Sequence, residues 1–146
     1  MDRHALLKGI YLFRDASDDD LAGLEQIAAR REYIQGDSVF TEGDEADAMF
    51  VVEMGTVDIM PRGKELAVIT VGTGQAFGEV AFFDRGKRVG SARTREVSRI
   101  LRIPFNRLER LLAGRPDFAM GFYRNACGFL AKHLRTLAVD LNRRYF

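Results

Sequence analysis

Residues 32–103 place the tightest limit on what this chain can become. Short apolar runs at 49–52, 57–60, 66–71 and 100–103 are separated by turn signals at Gly36-Asp37, Glu42-Gly43, Gly55, Arg62-Gly63 and Gly72-Thr73-Gly74. Runs this short, closed so regularly by glycine and acid, read as strands joined by tight turns. A succession of such strands must bury one face against another, which predicts an antiparallel roll or barrel.

Helical patterns flank this region. Leu21, Leu24, Ile27 and Ala28 recur at helical spacing after Ser17, with Asp20 three residues on as a variant capping box, and predict a helix over 17–31. Pro104 opens a second helical stretch with Phe105, Leu108, Leu111 and Leu112 on one face. Gly114 ends it and Pro116 is placed to start a last helix running nearly to Phe146. No repeat or Pro/Ser-rich linker interrupts the order, so 1–146 reads as one domain: a helical part at 1–31, the roll at 32–103 and helices at 104–146. At 146 residues and 47% apolar, such a domain can fill a core.

Composition removes several function classes. Lys and Arg number 22 against 21 for Asp and Glu, which leaves no overall field to draw in a polyanion. Cys127 stands alone and there are two histidines, His4 beside a terminus expected to fray and His133 on the last helix, so no Cys/His zinc site is expected. No Gly-x-Ser-x-Gly or other nucleophile motif occurs, and a metalloenzyme on a similar cupin-type roll would need clustered histidines that are absent. No apolar run approaches the ~18 residues that span a bilayer, and the N-terminus lacks signal-peptide features, so a cytoplasmic location is expected.

Chemistry concentrates at 77–91. Phe77-Gly78-Glu79-Val80-Ala81-Phe82-Phe83 is followed by Asp84-Arg85-Gly86-Lys87-Arg88-Val89-Gly90-Ser91. Gly78 permits a backbone approach that a Cβ would block, and a turn starting there points free N–H groups outward to cradle a phosphate. Arg88 supplies a permanent charge and a planar donor fork, each charged hydrogen bond contributing about 1.5 to 3 kcal/mol. Glu79 would repel a phosphate at close range, so its place fits an acceptor for a neutral donor such as a ribose hydroxyl. Cation for phosphate and acceptor for sugar describe a nucleotide, and a single free 2′-OH is what a 3′,5′-cyclic nucleotide offers. The loop cations Arg85 and Lys87 read more simply as solubilising charge.

These residues resemble the phosphate-binding cassette of the cyclic-nucleotide-binding domain family, known from catabolite-activator-type regulators, cyclic-nucleotide-dependent kinases and gated channels. The resemblance extends over nearly the whole chain, including Gly36-Asp37, Glu42-Gly43-Asp44, Ala46-Asp47 and Gly55. It implies an α+β, mainly β fold: an eight-stranded antiparallel β-roll (jelly-roll barrel) with an N-terminal helix, a short cassette helix and two C-terminal helices. It also implies that Gly78, Val80 and Ala81 line the phosphate and sugar, with N–H groups from Gly78 and Ala81. Glu79 would bind the 2′-OH, Arg88 the exocyclic phosphate oxygens, and Ser91 would add a polar contact.

The sequence departs from the family pattern at Lys87 (often proline), Gly90 (usually alanine) and Val89 (a small or hydroxyl residue). Lys87 and Gly90 are expected to alter loop stiffness more than chemistry. Valine cannot offer the hydroxyl that cGMP-selective members place after the arginine, which favours cAMP over cGMP. No other cofactor is expected.

The last helix carries two stripes. Met120, Tyr123, Cys127, Leu130, Leu134, Leu137 and Leu141 follow three-four spacing over about three heptads, a seam suited to a second copy of the chain. Phe118, Phe122, Ala126, Phe129 and His133 form another, suited to the roll. The resemblance implies that this helix moves when nucleotide binds and that one residue caps the purine, the candidates being Phe129, Leu130, His133 and Leu134. After this helix no recognition helix fits before Phe146, so direct DNA binding is not expected and the output would be an unidentified protein effector. The competing expectation is a dimeric interaction scaffold whose cassette keeps its shape without ligand.

Overall fold

A computed structural model describes residues 2–61 and 68–145. Among the described residues, eight strands form two four-stranded antiparallel sheets. The first, in the order β1-β8-β3-β6, is built from β1 (Ala29–Tyr33), β3 (Ala48–Met54), β6 (Ala76–Phe77) and β8 (Ser98–Pro104). The second, β2-β7-β4-β5, is built from β2 (Ser38–Phe40), β4 (Thr56–Pro61), β5 (Ile69–Gly72) and β7 (Gly90–Thr94). The apolar runs thus become β3, β4, β5 and β8, while the expected Arg62-Gly63 turn and Leu66 lie outside the described residues.

Strand alternation distributes the apolar side chains between two cores. Ala48, Phe50, Val52 and Ile100 join Val57, Val71, Phe77 and Ala92 between the sheets. Met49, Val51, Leu101 and Ile103 point the other way, into a core made with the helices. β3 therefore reads as a continuous apolar run over 48–52, because both of its faces are covered there.

The helices follow their caps. α1 (Arg3–Lys8) starts at Asp2, whose carboxylate accepts the Ala5 N–H at 2.7 Å. A 3-10 turn, Tyr11–Phe13, leads to α2 (Asp18–Ile27). Ser17 Oγ accepts the Asp20 N–H at 3.1 Å and Asp20 accepts the Ser17 N–H at 2.9 Å, completing the expected capping box. Two expectations are corrected. The helix ends at Ile27 rather than near Arg31, because Ala28 turns extended and residues 29–33 pair with β8, Arg30 opposite Leu101 and Arg31 opposite Ile100. The N-terminus is docked rather than frayed: Leu6 and Leu7 are buried, and His4 lies 3.2 Å from Asp18 and 3.5 Å from Glu25.

A short helix α3 (Val80–Asp84) interrupts the roll, and α4 (Phe105–Ala113) and α5 (Pro116–Tyr145) close the fold. Pro104 ends β8 and caps α4, and Phe105, Leu108 and Leu112 are buried. Phe82 and Phe83 of α3 meet Phe122 of α5 at ring separations of 5.6 Å, and Phe83 also meets Tyr123. The cassette helix and the C-terminal helix are therefore in direct contact. No helix among the described residues is long and apolar enough to cross a membrane.

Candidate functional site

The chain reverses at Gly78, whose φ of +76° is costly for any residue with a Cβ. A Cβ there would also lie 2.9 Å from Arg88 Nη1. Glu79 follows as the N-cap of α3, and the first intrahelical donor is the Phe82 N–H, bonded to Glu79 O at 3.0 Å. The N–H groups of Val80 and Ala81 precede that first bond, as at any helix start.

Glu79 and Arg88 are 8% and 6% exposed, a depth at which charged side chains require partners. Arg88 has them: Nη1 donates to Gly78 O at 2.8 Å, Nη2 donates to Ala48 O, and the guanidinium lies 4.1 Å from the centre of the Phe40 ring. Burial pulls its pKa down while the carboxylates of Asp47, Glu79 and Asp44 pull it up. Its backbone is tied to the preceding turn, the Arg88 N–H to Asp44 O and the Gly43 N–H to Arg88 O. Glu79 is less well served. Burial raises its pKa, its own backbone N–H, the Tyr11 side chain and the Arg88 charge oppose that rise, and Oε2 accepts no hydrogen bond.

Beside Arg88 an open cavity of about 450 Å³ is lined by Gly78, Val80, Ala81, Asp84, Lys87, Arg88, Val89 and Gly90 of the cassette, with Phe40, Ile59, Pro61, Ile69 and Phe77 of the roll; Glu79 is not part of this lining. The lining is mostly apolar, with Asp84, Lys87 and Arg88 as its charged members, a composition that suits a phosphate joined to a flat heterocycle. Val89 is 80% exposed and offers the cavity mouth an apolar edge. A larger cleft of about 730 Å³ near α4 contains Arg85 and Arg102, but these pair with Glu109 and Asp47.

Several expected residues occupy other roles. Ser91 Oγ accepts the Glu42 N–H at 2.9 Å, so it braces the Glu42-Gly43-Asp44 turn. Lys87 lies 3.6 Å from Glu45 at the surface. Gly90, expected to tune stiffness, is instead a steric requirement: paired with Pro61 across β7 and β4, it would bring a Cβ within 2.6 Å of Met60 O. None of the four purine-cap candidates lines the cavity. Phe129 is stacked on Tyr11 at 4.5 Å, His133 lies 4.2 Å from Phe129, and Leu130 and Leu134 face outward.

On α5, Phe118, Phe122 and Ala126 are buried, whereas Met120, Tyr123, Cys127, Leu130, Leu134 and Leu137 are exposed. The outward stripe is exposed at these positions, while the inward stripe is buried only as far as Ala126: Phe129 is half-buried and His133, expected to face the roll, is exposed because the helix has run past it. Leu141 belongs to α5, but its side chain lies outside the described residues. Phe40, the Ala48 carbonyl and Tyr11 had no sequence signal, because strand pairing and the N-terminal turn bring them to the cassette from far away in the chain.

A family model described as the cyclic nucleotide-binding domain matches residues 30–115. The CRP-like cAMP-activated global transcriptional regulator of Mycobacterium tuberculosis is 28% identical over 127 residues, covering 85% of this chain and 55% of that protein. Glutaminase 1 of Bradyrhizobium diazoefficiens is 32% identical over 124 residues, covering 84% of this chain but 20% of that protein. The chain thus spans about half the length of the first relative and a fifth of the second. Among solved structures, the N-terminal domain of a transcriptional regulator from Streptomyces coelicolor matches with a TM-score of 0.78 at 26% identity, covering 88% of this chain and 94% of that one.

Proposed function

The chain belongs to the cyclic-nucleotide-binding domain family, and from that premise we propose that it is a regulatory module that binds cAMP in preference to cGMP and signals through α5. One observation carries the reading: a buried arginine and a buried glutamate with a free acceptor oxygen stand together under a left-handed glycine, beside a cavity of nucleotide size. Arg88 takes the exocyclic phosphate oxygens, exchanging a carbonyl partner for them, and Glu79 takes the ribose 2′-OH. The purine lies along Val80, Val89 and Ile69, where the exposed valine offers no hydroxyl to guanine.

Phe83 and Phe122 are in contact, so a shift of α3 on binding is felt by α5. Ligand then moves α5 only as far as it prefers one helix position over another. Such a move, or a second copy, would bring Phe129, Leu130, His133 or Leu134 over the purine. The exposed stripe from Met120 to Leu137 fits a homodimer seam, and the effector is a protein that reads the position of α5. A cytoplasmic location fits this role.

A second reading has one observation in its favour. The two carbonyls already satisfy Arg88, so the cassette holds its shape without a ligand. That suits a dimeric scaffold indifferent to nucleotide. Calorimetric titration of refolded, ligand-stripped protein with cAMP and with cGMP separates the two. The sensor binds cAMP more tightly, and Arg88→Ala loses at least about 2 kcal/mol of it. No binding at millimolar nucleotide overturns the sensor reading and leaves the scaffold.

A further inference from the structure

Arg88 is buried, and its hydrogen bonds run from Nη1 to Gly78 O and from Nη2 to Ala48 O. Guanidinium N–H groups lie in the plane of the group, so these two bonds set its direction within that plane but leave it free to tilt. The third anchor is the Phe40 ring. The guanidinium carbon lies over that ring, 4.1 Å from its centre, against 5.8 Å for Phe50 and 6.0 Å for Phe105.

Phe40 is itself held in place. It ends β2, where the pairing with β7 shifts register between Ser38 and Phe40. Its ring packs against Phe50 and Phe77 at 5.9 and 6.1 Å, and those two rings stack on each other at 5.2 Å. An aromatic side chain has two torsions, and packing of this kind restrains both. The ring also reaches the turn that opens the cassette: a Cβ on Gly78 would lie 3.3 Å from Phe40 Cε2 and 2.9 Å from Arg88 Nη1. Ring and arginine close on the same glycine.

Phe40 and Arg88 both line the 450 Å³ cavity, and both also line a polar cleft of about 440 Å³ shared with Asp44, Glu45 and Asp47. The pair is therefore a common wall of the two spaces. Without the ring, the guanidinium would be free to turn toward the carboxylates of the second cleft and away from the first. A phosphate entering the cavity competes with the two carbonyls for the same N–H donors. It takes nothing from the ring, because a cation–π contact uses the charge of the guanidinium and not its hydrogens.

We propose that Phe40 is a positioning residue for the nucleotide site: its ring carries the Arg88 guanidinium at the cavity wall and remains its partner when phosphate oxygens replace a backbone carbonyl. This rests on the cassette reading above, which assigns Arg88 to the phosphate. Phe40 then acts on affinity through the arginine and not through the purine.

The test is a double-mutant cycle on the full chain, read by calorimetric titration with cAMP. Phe40→Leu keeps an apolar side chain and removes the ring. It is expected to weaken cAMP about 5-fold, as loss of one partly desolvated cation–π contact does. In the Arg88→Gln background, where the charge is gone, the same substitution is expected to change affinity less than about 2-fold. An equal loss in both backgrounds, or none in the parent, overturns the inference, because the ring would then act on the ligand or on packing alone. A second measurement needs no variant. Protons over an aromatic face are shifted upfield, so the Arg88 guanidinium resonances of the parent should lie upfield without nucleotide and stay there at saturating cAMP. Their return to the ordinary position on saturation would show that the arginine leaves the ring to bind, and the inference is then wrong. If the parent binds cAMP while these expectations fail, the cassette reading stands. If the parent binds neither cAMP nor cGMP, that reading falls and this inference with it.

Discussion

Glu79→Gln should make the ligand-free protein more stable while removing its tight hold on nucleotide. The carboxylate is 8% exposed and one of its oxygens has no partner. Leaving a buried acceptor unmade costs about 1–3 kcal/mol, and more when it is charged. The Tyr11 hydroxyl, the backbone N–H and the Arg88 charge offset part of that cost, yet the pKa of Glu79 remains raised, so burial wins. We expect a gain of about 1 kcal/mol at neutral pH, which for a chain of this size is roughly 2–4 °C in Tm.

The pH dependence follows from the direction of the shift. A carboxyl with its folded pKa above the unfolded value destabilises the fold once ionised, so the penalty is fully present above the folded pKa. It vanishes below the ordinary glutamate range of about 4, where both states hold the proton. Thermal melts without nucleotide should show the variant above the parent at pH 7 and the two converging as pH falls toward about 4. With cAMP at about 100 times its Kd, the parent should gain about 2.7 kcal/mol and overtake the variant. A variant that melts below the parent at pH 7 without ligand would refute the argument, because Oε2 would then have a stabilising partner.

Two further substitutions probe the frame around the site. Gly90→Ala should cost about 1–3 kcal/mol in urea unfolding, since its Cβ would sit 2.6 Å from Met60 O and force β4 and β7 apart; a loss below about 0.3 kcal/mol would show that the strands yield freely. Asp20→Ala should cost about 1–2 kcal/mol at neutral pH, because it breaks the capping box and the 2.9 Å bond from Arg115. Burial pushes the Asp20 pKa up, but the Ser17 and Arg115 bonds outweigh it and leave the pKa lowered. The stability Asp20 contributes is therefore present above the ordinary aspartate range and lost as pH falls through its folded pKa. Chemical denaturation at neutral and acidic pH should show parent and variant converging on the acid side, and a difference that grows there would contradict the assignment.

Much of the architecture was legible in the sequence because it depends on local pattern. Glycine-closed apolar runs led to the roll, Ser17 and Asp20 to the start of α2, and Pro104, Gly114 and Pro116 to the limits of α4 and the start of α5. The spacing of Gly78, Glu79 and Arg88 marked the cassette, since each residue type has a chemical use that others cannot supply. The two stripes of α5 were visible as periodicity, and the fold exposes the outward one and buries Phe118, Phe122 and Ala126 of the other, leaving its last member His133 exposed.

Only tertiary contact decided the rest. Propensity continued α2 to Arg31, but pairing with β8 claimed residues 29–33 and ended the helix at Ile27. Gly90 reads in the sequence as a change in loop stiffness, and only strand pairing sets the Met60 carbonyl where a Cβ would go. No local pattern ties Phe129 to Tyr11, yet the fold stacks the two rings at 4.5 Å. The sequence by itself determined most of the segments that form strands and helices and where the cassette lies, because those depend on neighbours a few residues apart. Which oxygen of Glu79 stays free, what already holds Arg88 and what α5 grips were decided by the tertiary structure, because each depends on groups that the chain brings together from distant segments.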